Sequence, residues 1–188
     1  MDTIKNQTII PAIRNIKEFN QFLQSNYQVG IFMDFHIAQM KSLYEVARQH
    51  EKKMILHVDK VNGIKADEYG TEFICQEFKP YGIISTKSNV IMKAKQKGVI
   101  SIQRIFLIDG SSIEKNIKLF QKTDPDFIEI LPGVIPKAIE SIRMRANKEV
   151  LTGGLIETRE EVRSAIVAGA TAVTTSKQEL WLEKPTSK

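Results

Sequence analysis

The chain has one cysteine, no metal-type spacing of histidine or cysteine, no long apolar run, and no acidic residue over a third of its middle section. A lone Cys75 excludes an intrachain disulfide. Its setting, Phe73-Ile-Cys-Gln-Glu77, reads as a small buried hydrophobe on a helix and suits a reducing compartment. Three histidines without HxH, HExxH or CxxC spacing do not predict a zinc site. No apolar run approaches the roughly 18 residues needed to cross a bilayer. Met1 to Gln7 has no apolar core of the signal-peptide kind, so a cytoplasmic protein without membrane contact is expected. Between Glu77 and Asp109 there is no Asp or Glu, while Lys79, Lys87, Lys93, Lys95, Lys97 and Arg104 fall inside that interval. With a net charge of +5 and a pI of about 9.2, this interval is compatible with a polyanion partner. Taken alone, it fits better a helix face whose counter-charges come from elsewhere in the fold.

There is also no Pro/Gly/Ser linker and no low-complexity tract, so the 188 residues are read as one domain, 42% apolar and 26% charged. What recurs is an apolar β-rich run, a polar turn and an amphipathic helix. The expected strands are Thr8–Ala12, Val29–Met33, Lys53–Val58, Gly82–Ser85, Ile100–Ile108, Phe127–Leu131, Val150–Thr152 and Ala172–Thr175. Runs without alternation suit strands covered on both faces. The expected helices are Ile16–Ser25, Ile37–His50, Asp67–Phe78, Asn89–Lys97, Ser112–Gln121, Pro136–Arg145, Thr158–Val167 and Gln178–Glu183. Gly98 and Gly169 stand at helix C-termini, and Thr158 with Glu161 makes a capping box. Eight β–α units predict an α/β fold of the compact TIM-type (β/α)8 barrel, rather than an open flavodoxin-like sheet. Because 188 residues are few against the ~250 typical of such barrels, one helix is expected to be reduced or missing.

In such a barrel, ligand chemistry gathers at the C-terminal ends of the strands. Two adjoining ends there are Gly153-Gly154 and Thr175-Ser176. Glycine lets backbone N–H groups approach an anion closely, and a hydroxylated turn one unit later adds donors, so these four residues are candidates for a phosphate. His57 and Asp59 lie two apart and would share a face if both were on a strand. Arg104 and Glu129 are charged residues at strand positions where burial is costly unless they are paired. His57, Asp59, Arg104 and Glu129 thus read either as a polar ring gripping a small hydroxylated anion or, for Arg104 with Glu129, as an internal ion pair. A divalent cation held by His57, Asp59 and Glu129 is the weaker reading. Asp109 is a further strand-end acid, and Trp181 reads as packing over the barrel end. No cofactor and no catalytic set is called for.

Taken together, Ile10-Pro-Ala-Ile-Arg14, His57-Val-Asp59, Gly82-Ile-Ile-Ser-Thr86, Ile102 to Asp109, Pro125 to Gly133 with its Ile-Glu-Ile-Leu-Pro-Gly block, Gly153-Gly-Leu-Ile156 and Thr174-Thr-Ser176 resemble the glycerol-3-phosphate responsive antiterminators of low-GC Gram-positive bacteria. The resemblance runs in order over about residues 8 to 182. It implies a regulator rather than an enzyme, one that binds glycerol 3-phosphate and then the leader mRNA of glycerol-catabolism genes and prevents premature termination. The sequence departs from the family at Lys60-Val-Asn62, at Gly110 and at Thr152. On this reading Lys87, Lys93, Lys95 and Lys97 are the candidate RNA-binding residues, with Lys93 and Lys97 on one exposed helix face, and a homo-oligomer is compatible. The other reading open to the same residues is a small phosphosugar isomerase or phosphodiesterase.

Overall fold

Strands without polar alternation must be covered on two sides, and here the chain covers them by closing the sheet on itself. The computed structural model describes residues 1–182 apart from Asp109, with the side chains of Gly110 and Ser111 undescribed. Eight strands follow one another: β1 (Ile9–Ile13), β2 (Val29–Phe32), β3 (Lys53–His57), β4 (Gly82–Ser85), β5 (Ile100–Phe106), β6 (Phe127–Leu131), β7 (Glu149–Gly153) and β8 (Ala172–Thr175). Each pairs in parallel with the next, and β8 pairs with β1 to close the barrel. The helices are α1 (Asp2–Lys5), α2 (Ile16–Leu23), α3 (Ile37–Gln49), α4 (Glu68–Glu77), α5 (Ser88–Gln96), α6 (Gly110–Thr123), α7 (Pro136–Ala146), α8 (Arg159–Val167) and α9 (Gln178–Trp181).

The core divides by strand face. One cluster fills the barrel interior: Ile10, Val29, Ile31, Ile55, Ile84, Ile102, Phe127, Leu151 and Ala172. The outward residues, such as Phe32, Met54, Leu56, Ile83, Ile128 and Val173, join the helices in a second cluster. Phe32 alone meets Phe19, Phe35 and Tyr44 at ring distances of 5.2 to 5.3 Å, which fixes α2 and α3 on the barrel wall.

All the expected strands and helices are found, with ends that differ by at most two residues. The eighth helix is the reduced one, since α9 is a single turn. Trp181 of that turn is buried, and it packs in the outer cluster on the flank of the barrel rather than over its end. The short α9 leaves a groove of about 1000 Å³ lined by Ile16, Gln21, Tyr27, Trp181 and Leu182, among others. Strand β5 stops at Phe106, not Ile108, whose side chain is exposed. Helix α1 is not expected from the sequence, because four residues are too few for periodicity to show. It serves to place Ile4 in the interior cluster at the N-terminal end of the barrel.

Just after α1, Gln7 joins the first two strands. Its Nε2 donates to Ile9 O (2.8 Å) and Val29 O (2.7 Å), and its Oε1 accepts from Gln28 N and Val29 N (both 3.0 Å). Removing this amide leaves buried backbone groups unpaired, at a cost of about 1–3 kcal/mol. Gln7→Ala should therefore lower the urea midpoint by a corresponding amount with the slope unchanged. A variant as stable as the parent would show that water replaces the amide at no cost.

Candidate ligand-binding site

At the C-terminal mouth of the barrel is a cavity of about 430 Å³ bounded by the ends of β1, β2, β5, β6, β7 and β8. Of the residues singled out from the sequence, Arg104, Gly154, Thr175 and Ser176 line it, joined by Arg14, Asp34, Glu157 and Lys177. Gly153, Glu129, His57 and Asp59 do not line it.

The β7 turn is shaped by two glycines with different constraints. A Cβ on Gly153 would stand 2.1 Å from Thr174 Oγ1, so only glycine fits beside that hydroxyl. Gly154 has φ 72° and is followed by Leu155 at φ 59°, so two left-handed residues in a row turn the chain away from the barrel. Gly154 O accepts from Gly133 N at 3.1 Å, tying this turn to the loop after β6, where the Leu131–Pro132 bond is cis. The backbone N–H groups of Gly154, Leu155 and Ser176 carry no hydrogen bond among the described residues. Further along, the amides of Glu157 and Thr158 are occupied: Glu161 Oε2 accepts from Glu157 N (2.8 Å) and Thr158 N (2.9 Å), which completes the expected capping box of α8. Thr175 contributes less directly than its hydroxyl suggests, because its Oγ1 accepts from Lys177 N at 3.0 Å and so shapes the turn.

Behind the cavity lies a buried polar layer. Arg104 Nε donates to Glu129 Oε2 at 2.6 Å, and Thr174 Oγ1 donates to Glu129 Oε1 at 2.7 Å. Glu129 is fully buried. Burial alone would raise its carboxyl. The Arg104 charge, with the hydrogen bonds from Arg104 and Thr174, holds it below the ordinary carboxylate range instead. The internal ion pair is thus present, and Arg104 belongs both to it and to the cavity wall. Thr174 is the residue that sequence reasoning passed over. Its inward direction follows from alternation with Ala172.

His57 and Asp59 do not share a strand face. Strand β3 ends at His57, and Val58–Lys60 form a 3₁₀ turn that swings Asp59 toward β4. There its carboxylate accepts from Ser85 Oγ (2.5 Å), Thr86 N (2.7 Å) and Thr86 Oγ1 (2.8 Å). Against the effect of burial, these bonds hold the Asp59 carboxyl below its usual value. His57 is buried with neither ring nitrogen hydrogen-bonded among the described residues. Burial first, then the Arg104 charge, push its imidazole down to about 4. No grouping of three or more His, Cys, Asp or Glu suited to a metal ion occurs among the described residues. Asp109 lies outside the described residues.

The acid-free interval finds its counter-charges in space. Lys93 and Lys97 do share a face of α5, but it abuts α4, where Glu72 pairs with Lys97 and stands 3.7 Å from Lys93. Lys95 pairs with Asp124, and Lys87 Nζ donates to Ala66 O at 3.0 Å.

The family model described as glycerol-3-phosphate responsive antiterminator matches residues 9–181. The chain belongs to that family. It is 46% identical to a glycerol uptake operon antiterminator regulatory protein from Listeria monocytogenes, whose crystal structure superposes with a TM-score of 0.91 over 94% of this chain and 95% of the other. An antiterminator-related protein from Thermotoga maritima is 26% identical, with a TM-score of 0.82 over 93% of this chain and 98% of its own. The uncharacterized protein YgcP of Escherichia coli (strain K12) is 27% identical over 178 residues, 95% of this chain and 93% of YgcP. More distant likenesses, such as a deoxyribose phosphate aldolase from Aeropyrum pernix at 13% identity and a TM-score of 0.69, show the barrel alone. No helix among the described residues is long and apolar enough to cross a membrane.

The neutral buried imidazole makes a testable statement. His57 takes a proton less readily when folded, so its contribution to stability is complete above the ordinary value of 6.5 and is lost as pH falls toward about 4. Urea midpoints should fall more steeply between about pH 7 and about pH 5 in the parent than in His57→Leu. Parallel curves would contradict the assignment.

Proposed function

We propose that this antiterminator-family protein is a cytoplasmic regulator. In this reading it takes up glycerol 3-phosphate at the barrel mouth and then engages leader mRNA, with no cofactor and no turnover. The observation that carries the ligand reading is that Gly154, Leu155 and Ser176, whose N–H groups carry no hydrogen bond among the described residues, line one cavity with Arg14, Arg104 and Lys177. A dianionic ester is matched there by backbone donors and by cations, the pairing that phosphate sites use. Gly153 acts from behind, by leaving room for Thr174, and Glu129 by orienting Arg104. His57 and Asp59 support the site at one remove rather than touching the glycerol.

The same facts argue against an acid–base enzyme. Both Glu129 oxygens are engaged, Asp59 serves the β4 turn, and His57 is buried away from the cavity. The RNA reading rests on family membership and on Lys87, Lys93, Lys95 and Lys97. Their partners are exposed or half-buried, so phosphates can displace them at little cost. Recognition through backbone charge makes binding fall steeply with salt.

Calorimetry with glycerol 3-phosphate, followed by gel shift on leader RNA with and without it, tests both halves. Gly154→Val should lose ligand binding, because a branched side chain disfavours φ 72° and would crowd Leu131, 3.3 Å from the new Cβ. Its stability should fall by only about 1–2 kcal/mol. Normal ligand affinity in that variant would move the phosphate elsewhere. Lys93→Glu with Lys97→Glu should weaken RNA binding and leave the ligand affinity untouched. Unchanged RNA affinity would exclude the α5 face, and consumption of the ester would establish an enzyme.

A further inference from the structure

One wall of the mouth cavity has no role in holding a phosphate. Asp34 follows β2, two strands around the barrel from β8, and is one of the residues that line the cavity. Its backbone is left-handed, with φ 62°, a conformation unfavourable for a side chain other than glycine, although Asp tolerates it better than most. The surrounding chain enforces it. Asn62 N donates to Phe35 O at 2.9 Å, Ile37 N donates to Asn62 O at 2.8 Å, and Asn62 Nδ2 donates to Asp34 O at 3.3 Å. The loops after β2 and β3 are thereby locked together around Asp34. Its carboxylate is exposed and makes no hydrogen bond or ion pair among the described residues. A strained acidic residue held rigidly at a cavity wall, with its acceptors free, is arranged for a ligand rather than for the fold.

We infer that Asp34 accepts the hydroxyl groups of the ligand and makes the site selective for a phosphate monoester bearing free hydroxyls. The inference rests on the phosphate position proposed above. A carboxylate can only accept hydrogen bonds and repels a second anion. At the β2 wall it therefore disfavours inorganic phosphate lying across the cavity and esters whose far end lacks O–H donors. Lys177 and the β7 and β8 turns, with Arg104, hold the phosphate on the β7–β8 side, and Arg14 follows β1, between that side and β2. Glu157, the other acidic residue at the cavity, is exposed, with its backbone N–H held by Glu161 Oε2 at 2.8 Å. Asp34 is thus the acceptor at the far end, so polarity as well as size is read.

The test compares glycerol 3-phosphate with 1-propyl phosphate, an ester of equal carbon count without hydroxyls, by calorimetry. Asp34→Gly permits φ 62° without strain and should melt no lower than the parent, so loss of folding cannot mimic loss of recognition. The parent should prefer glycerol 3-phosphate. Asp34→Gly should bind it roughly tenfold to a hundredfold more weakly, the loss expected for a hydrogen bond to a charged group, while propyl phosphate binds as well or better. Asp34→Asn should fall between. A variant that keeps the parent's full preference overturns the assignment of Asp34 and leaves the phosphate position standing. Failure of the unchanged protein to bind either ester overturns both together.

Discussion

A closed barrel of eight short parallel strands has to fill its own interior, and everything at the mouth depends on how this chain does so. Up to Ile55, Ile102, Phe127 and Leu151 the filling is apolar. One step higher it becomes polar, with Arg104, Glu129 and Thr174 joined in a chain of hydrogen bonds. A lone charge at that depth would be costly, whereas a pair with its remaining acceptor satisfied is tolerable. The pair thus lets a guanidinium stand in the cavity wall with a fixed orientation. It also explains Gly153, since any side chain there would displace the Thr174 hydroxyl from Glu129.

Much of this architecture was legible from the sequence, because its signals are local or periodic. Unbroken apolar runs marked the eight strands, and Thr158 with Glu161 marked the start of α8. The inward direction of Arg104 and Glu129 followed from alternation within strands that continue past them. The same rule failed for Asp59, since it assumes the strand persists, and β3 ends at His57. Strand ends are set by tertiary contacts, here the pull of Ser85 and Thr86 on the Asp59 carboxylate. Charge proximity was equally hidden. The lysines of the acid-free interval meet Glu72 and Asp124, residues that lie outside that interval in sequence. Asn62 also makes sense only in three dimensions, as the clasp on the loop after β2.

The barrel is shared with aldolases and other enzymes of very low identity, and the fold does not decide between binding and turnover. Family membership supports a regulator, and the polar groups behind the cavity are engaged by the scaffold, Glu129 by Arg104 and Thr174 and Asp59 by Ser85 and Thr86. A receptor needs that distribution, since binding energy is then expressed as occupancy rather than as stabilisation of a transition state.

Strands β1 and β8, drawn from opposite ends of the chain, lie side by side, and the cavity spans them, with Arg14 at the end of one and Ser176 and Lys177 at the end of the other. Among the described residues, the helix that follows β8 at that seam is a single turn. An anion seated there bridges the first and last pieces of the fold like a rivet through an overlapped joint. Occupancy of the proposed site would add a tie across that closure, so the metabolite's signal would be carried as rigidity at the junction of the chain's two extremities.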